Sequence, residues 1–171
     1  MARTSSASQI TVSVGPDFRH LMRSLNTLPK TVQNEIRDKA QDISKILARD
    51  LIGNAHLAPT PTAALVAKSI RTPRDRLVRV DIGGPLQVGH AYKPRTGGRK
   101  ARASAGSLMW GSEHGSRAGK DRRGRTYSNR FHAPHNPKGY WLIPGIAEMA
   151  PSAAKEWTHL VTTVLGREGL R

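Results

Sequence analysis

Ser112, Glu113 and His114 place the three residue types of a hydrolytic triad side by side in the chain. A triad brings its nucleophile, base and orienting acid together from separate positions, and no nucleophile-elbow pattern surrounds this serine. The tripeptide therefore favours a turn after a strand over a catalytic centre. The twelve acidic residues include no paired carboxylates suited to hydrolysis or two-metal chemistry. We assign no catalytic residue and expect that the chain is not an enzyme.

Three histidines, His114, His132 and His135, form the best candidate for a metal site. Metal-binding pairs usually lie four residues apart on a helix or across a hairpin, whereas Pro134 separates the last two here. No acidic second shell lies near His132 and His135 in the sequence. The chain has no cysteine, which excludes disulfides and thiolate ligands. We predict histidines of a surface loop, with no metal and no cofactor.

A glycine-rich basic stretch lies between Lys93 and Arg130, where eleven cations face two acidic residues and give a formal +9 of the chain's +16. Charge this dense cannot be buried, so we expect an assembly to order the segment. Its partner is either nucleic acid or acidic protein, and charge alone leaves both open. The cations, which we take as interaction and candidate DNA-facing residues, are Lys93, Arg95, Arg99, Lys100, Arg102, Arg117, Lys120, Arg122, Arg123, Arg125 and Arg130.

Aromatic residues flank this basic stretch. Aromatic rings beside cations can stack on nucleic-acid bases. More often such residues anchor a loop to the protein core or to a neighbouring subunit. We therefore predict that Trp110, Tyr140, Trp141 and Pro144 are packing or interface anchors.

The elements that must position these residues can be read from the hydrophobic periodicity. After a polar tail over residues 1–8, alternating residues predict strands at Ile10–Val14 and Val78–Ile82, with a further strand over 86–91. Three- and four-residue spacing predicts a long amphipathic helix over Val32–Leu51, terminated at Gly53-Asn54. A brief helix over 65–70 follows the Pro59–Thr62 break.

Three more elements are predicted towards the C-terminus. They are a short strand at Leu108–Trp110, a second over 139–143 that ends at Pro144, and a helix over 146–164. The result is one α+β domain, residues 1–171, in which a small antiparallel sheet packs against a long N-terminal helix and a C-terminal helix. Residues 93–130 form a long basic loop insertion in it. No apolar run is long enough to span a membrane, and the N-terminus lacks a secretory core.

Four motifs follow one another in a distinctive order. They are Leu28-Pro29 before the Val32–Leu51 helix, the Pro59–Thr62 break with Leu65–Ile70 before the Val78–Ile82 strand, the Trp110–Gly115 motif, and Tyr140–Pro144 opening the C-terminal helix. This order resembles the head–tail joining or tail-completion proteins of long-tailed double-stranded DNA phages, whose relatives include the minor tail protein Z type. The chain departs from the family at Thr60-Pro61-Thr62, where members usually carry aspartate–threonine–glycine, and in its longer basic insertion.

This resemblance implies a structural virion protein of the neck, without catalytic residues, assembled in the host cytoplasm and located in the virion. It would form a homo-oligomeric ring of six copies between the head-proximal connector proteins and the tail terminator or tail tube. Double-stranded DNA passing through the ring is a further partner, and no membrane is involved. A tail terminator or head-closure ring protein is the neighbouring alternative. A sequence-nonspecific nucleic-acid-binding protein is the alternative of another class.

Overall fold

The computed structural model describes residues 9–14, 25–92, 101–120, 124, 126–127 and 131–169. The predicted α+β class is confirmed, and the long N-terminal helix packs against the C-terminal helix. The helices are α1 (Lys30–Leu57), α2 (Pro61–Ala67), α3 (Ala105–His114) and α4 (Leu142–Arg167). The strands are β1 (Gln9–Val14), β2 (Val78–Gly83), β3 (Gln87–Tyr92), β4 (Ala101–Ser104), β5 (Gly119–Lys120) and β6 (Thr126–Tyr127).

The strands of the described residues form three two-stranded sheets. Strand β1 pairs with β2, while β3 and β5 pair antiparallel with β4 and β6. The strands predicted at Ile10–Val14, Val78–Ile82 and residues 86–91 are confirmed. In β2 the alternating residues Val78, Val80 and Ile82 are buried, so the period-two pattern in the sequence marks the face that packs into the core.

Helix α1 follows the predicted periodicity but continues beyond its predicted end. Ile36, Leu47 and Leu51 are buried, as a helical stripe requires. Gly53-Asn54 does not terminate the helix, which runs to Leu57. Ala55, one turn beyond Leu51, is buried, so packing extends the apolar face past a glycine that would end a less constrained helix.

Residues 101–114 correct two predictions. The predicted strand at Leu108–Trp110 lies inside α3, and the strand of this segment, β4, comes before the helix. Ser104 caps α3, because its Oγ accepts a 3.2 Å hydrogen bond from the Ser107 N–H. Leu108 and Met109 are buried, so this part of the predicted loop insertion belongs to the core.

The second strand predicted near the C-terminus is also wrong. Helix α4 begins at Leu142, inside the predicted strand over 139–143, and Pro144 lies in its first turn. Proline is tolerated there because the first N–H groups of a helix have no partner within the helix.

The fold divides into two compact units. The first comprises Met1–Ile10, Leu51–Ile70 and Ile82–Ile146, and we call it the basic unit. The second comprises Thr11–Asp50, Arg71–Asp81 and Ala147–Arg171, and we call it the mixed-charge unit. Each combines separate stretches of sequence, and the organisation as one domain stays a prediction.

Candidate interaction surfaces

Within the basic unit, the carboxylate of Glu113 caps the start of α4. Glu113 is near the end of α3 and has 0% of its surface exposed. Its Oε2 accepts hydrogen bonds from the N–H groups of Trp141 at 3.3 Å and Leu142 at 2.8 Å, and its Oε1 accepts one from Ile143 at 2.9 Å. A negative charge is also favoured at a helix N-terminus by the helix dipole. We call this arrangement the Glu113 cap.

Every N–H group from Trp141 to Gly145, at the start of α4, has an acceptor, and three of them bind Glu113. After Ile143 comes Pro144, which has no N–H, and Gly145 donates to the Trp141 carbonyl at 3.2 Å. Close approach of the chain to the carboxylate requires Gly139, where φ is 80° and an added Cβ would overlap Glu113. One acidic side chain thus joins α3, the loop before α4 and α4 itself.

The other residues of the Trp110–Gly115 motif also have structural roles. Gly111 faces the ring of Phe131, which leaves no room for a side chain there. The Nδ1 of His114 donates to the Asn136 carbonyl at 2.8 Å, and the Asn136 N–H donates to the His114 carbonyl at 2.8 Å. Gly115 has φ of 67° and lies against the carbonyls that precede Asn136. The motif therefore specifies the junction between α3 and the loop that leads to α4.

These contacts replace the sequence-based interpretation of Ser112, Glu113 and His114 as a turn after a strand. The three residues end helix α3. The Ser112 hydroxyl donates to the Met109 carbonyl at 2.7 Å, while Glu113 and His114 bind backbone groups elsewhere, so the three side chains do not form a triad. Nor do three His, Cys, Asp or Glu side chains converge on a possible metal position anywhere in the described residues.

The predicted anchor residues have different environments. Trp141 is fully buried, with 0% of its surface exposed, and the Tyr140 hydroxyl donates to the Pro134 carbonyl at 2.7 Å. Pro144 is exposed in the first turn of α4. Trp110 is 49% exposed, and its ring stacks on His114 with centroids 5.8 Å apart. Trp110 therefore contributes little to the core of this chain and presents an aromatic face to solvent.

The predicted cationic residues are only partly covered by the structure. Arg102, Arg117 and Lys120 are exposed, and none of them forms an ion pair with another described residue. The other eight lie outside the described residues: Lys93, Arg95, Arg99, Lys100, Arg122, Arg123, Arg125 and Arg130.

Charge is distributed unequally between the two units. The basic unit carries fourteen lysines and arginines against two acidic residues, a formal +12, and one of those acids is the buried Glu113. The mixed-charge unit carries fourteen against ten, a formal +4. Two surfaces of contrasting electrostatic character therefore belong to one chain.

The mixed-charge unit contains a groove of about 450 Å³ between α1 and α4, which we call the α1/α4 groove. The apolar side chains that line it are Ile43, Leu160 and Val164. The charged residues that line it are three acids and two bases, a formal −1 in a chain of +16: Glu35, Asp42, Glu156, Lys39 and Arg167.

Several ion pairs lie at the surface of this unit. Arg167 binds Glu35 at 2.6 Å, and its hydrogen bond is the main reason that the pKa of the Glu35 carboxyl lies below its ordinary value. Lys45 binds Asp42 at 2.8 Å. Glu156 forms no ion pair with any described residue, so its charge is available at the groove.

No family model, curated protein or solved structure matches the chain. Among the described helices, none has the length and apolar character needed to cross a membrane.

Proposed function

We propose that this chain is a structural virion protein of the phage neck, a tail-completion or head–tail joining component that forms a ring between the connector and the tail tube. The ring contains six copies, and basic loops contact neighbouring subunits or the DNA in the channel. The observation that carries the proposal is the order of the four motifs, because each falls at a junction that determines the fold.

Each motif supports the proposal through its place in the structure. Leu28-Pro29 directly precedes α1, and the Gln33 side chain donates to the Leu28 carbonyl at 2.9 Å. Thr60 is the N-cap residue of α2, and its hydroxyl donates to the Ser112 carbonyl at 2.6 Å. The remaining two motifs, Trp110–Gly115 and Tyr140–Pro144, meet in the Glu113 cap. The residues of these motifs join elements of the fold. A resemblance that rests on them therefore bears on the fold more directly than one that rests on surface residues.

The charge distribution supports the same proposal. The exposed cations Arg102, Arg117 and Lys120 belong to the unit with a formal +12. Lysine and arginine contacts to phosphates carry no sequence information, which suits a ring through which DNA must slide.

Virions of the phage that encodes the chain provide the test. Immunogold labelling should place the chain at the head–tail junction, and a strain that lacks the gene should accumulate filled heads and separate tails. Absence of the chain from purified virions, with normal particles in the deletion strain, would contradict the proposal.

A sequence-nonspecific nucleic-acid-binding protein is the second candidate, favoured by the exposed cations of the basic unit. It predicts tight binding to free duplex DNA that weakens steeply with salt and is lost in the Arg122→Ala, Arg123→Ala, Arg125→Ala variant. The neck protein needs no such affinity as a free subunit, so a filter-binding salt titration separates the two candidates.

A further inference from the structure

We infer that the α1/α4 groove is the docking site for the arginine-rich part of the basic segment, residues 117–130, of a second copy of this chain. The contact is head-to-tail, because the groove belongs to the mixed-charge unit and the basic segment to the basic unit. This inference rests on the proposed ring-forming function and names the surfaces through which neighbouring subunits meet.

The groove has the chemistry that arginine and lysine side chains require. Ile43 and Leu160 are half-buried and offer apolar walls to the aliphatic stems of such side chains. Glu156 is exposed at the groove and forms no ion pair with a described residue, so it can accept from a charged head. Asp42 is also exposed there, and because Lys45 binds its Oδ1, its Oδ2 can accept from a second cation. The rim has three acids and two bases around an apolar floor. This excess of one acid favours a cationic segment over a purely apolar or an anionic partner.

Charge complementarity within the chain points to a second copy as the occupant. Residues 117–130 carry Arg117, Lys120, Arg122, Arg123, Arg125 and Arg130 against Asp121 alone. The groove has a formal −1 in a chain whose formal charge is +16. Nucleic acid is disfavoured there, because phosphates would face the carboxylates of Asp42 and Glu156.

The contact also has the symmetry that a ring needs. Two different patches, one on each unit, form a heterologous contact, which generates a closed ring when the rotation per subunit closes. An interface between identical patches would instead stop at a two-fold dimer.

Two charge-reversal variants of the full chain test the inference. The groove variant carries Asp42→Lys and Glu156→Lys, and leaves Glu35 in place because it binds Arg167. The segment variant carries Arg122→Glu, Arg123→Glu and Arg125→Glu. Each variant should weaken self-association by about tenfold or more, measured by analytical ultracentrifugation, because like charges then face each other.

Mixing the two variants gives the sharpest result. A groove variant still has an intact segment, and a segment variant still has an intact groove. The lysines of the reversed groove and the glutamates of the reversed segment also attract each other, so both contacts between unlike variants are complementary. We expect the one-to-one mixture to recover the self-association that each variant alone has lost. The matched control is Asp50→Lys with Glu148→Lys, which makes the same change in net charge at exposed positions of α1 and α4 that do not line the groove, and it should assemble like the wild type.

Each other outcome overturns the inference. A segment variant that assembles normally would show a contact that does not use the basic segment. A control that fails to assemble would show a general effect of net charge, and a wild-type chain that stays monomeric at all concentrations would show no such contact. The virion experiment is independent of these results, so the neck function can survive the loss of this interface, and the interface can survive the loss of the neck function.

Discussion

The basic unit and the mixed-charge unit place their charged side chains in different ways. In the mixed-charge unit, acids and bases pair at the surface, and every ion pair between described residues lies there. In the basic unit, the one described acid, Glu113, is buried and binds backbone N–H groups instead of a cation.

In the basic unit, the buried acid therefore supports the fold, while the exposed cations remain for contact with a partner. Exposed ion pairs contribute little to stability, whereas a buried carboxylate with three backbone donors is costly to remove. Because Glu113, the described acid of the basic unit, binds backbone N–H groups inside the fold, it does not neutralise the exposed cations of that unit. Those cations are therefore available to a partner. We therefore expect that replacing an acid by its amide lowers the free energy of unfolding strongly in the basic unit and only slightly in the mixed-charge unit.

The largest expected effect is that of Glu113→Gln. The amide keeps one acceptor oxygen but places an NH2 group where the other oxygen was. At least one of the N–H groups of Trp141, Leu142 and Ile143 would therefore lose its acceptor. We expect a loss of about 3 kcal/mol in the free energy of unfolding, measured by urea denaturation.

The control for this change is Glu35→Gln in the mixed-charge unit, which removes a charge from an exposed pair with Arg167. Its urea midpoint should stay close to that of the wild type. Equal losses of stability in the two variants would show that the buried Glu113 cap contributes no more to stability than an exposed ion pair.

Gly139→Ala should have the next largest effect. The positive φ of Gly139 is unfavourable for alanine, and the new methyl group would overlap the Glu113 carboxylate. We expect a destabilisation of roughly 2–3 kcal/mol by thermal or urea unfolding. Gly53→Ala, inside α1 with nothing within 4 Å of the new methyl group, should instead stabilise the protein by about 0.5–1 kcal/mol.

The two buried tryptophans provide a finer comparison. In the mixed-charge unit, the Nε1 of Trp157 donates to the Arg76 carbonyl at 2.9 Å. In the basic unit, the Nε1 of Trp141 is buried without a hydrogen-bond partner among the described residues. Both Trp→Phe changes lose ring volume, but only Trp157→Phe removes a hydrogen bond. Trp157→Phe should cost about 1 kcal/mol more than Trp141→Phe, and the reverse order would contradict the role of that bond.

The smallest expected effect is a dependence of the protein's stability on acidic pH. Hydrogen bonds from Arg167 and Arg74 lower the pKa values of Glu35 and Asp38 below their ordinary 4.5 and 3.8. A carboxyl with a lowered folded pKa contributes stability above its unfolded pKa and loses it as the pH falls through the folded value. Stability should therefore decline slightly below about pH 4, and less so in Glu35→Gln. An identical acid profile for the variant would show that the pair contributes nothing measurable.

Much of the fold could be predicted because local rules determined it. Alternation marked β2, and three- and four-residue spacing marked α1. The brief helix predicted over 65–70 exists as α2, but it begins inside the Pro59–Thr62 break and covers Pro61–Ala67. Local rules do not predict helix α3, because Leu108–Trp110 is a short apolar run that suits either a strand or a helix. The one local start signal is the N-cap serine, Ser104.

The Glu113 cap could not be predicted from local sequence. Its donors lie 28 to 30 residues further along the chain, and a glutamate in a basic stretch is expected to face solvent. The glycines offered the available signal, since Gly111, Gly115 and Gly139 mark positions where a side chain would overlap a neighbour. The α1/α4 groove likewise depends on how two distant helices pack.

The most direct test of the proposed ring is a cryo-EM reconstruction of the assembled full chain. We expect a closed six-fold ring in which residues 117–130 of each subunit lie in the α1/α4 groove of the next. A monomer, or a two-fold dimer with the basic segment on nucleic acid and the groove open to solvent, would contradict both the head-to-tail contact and the ring.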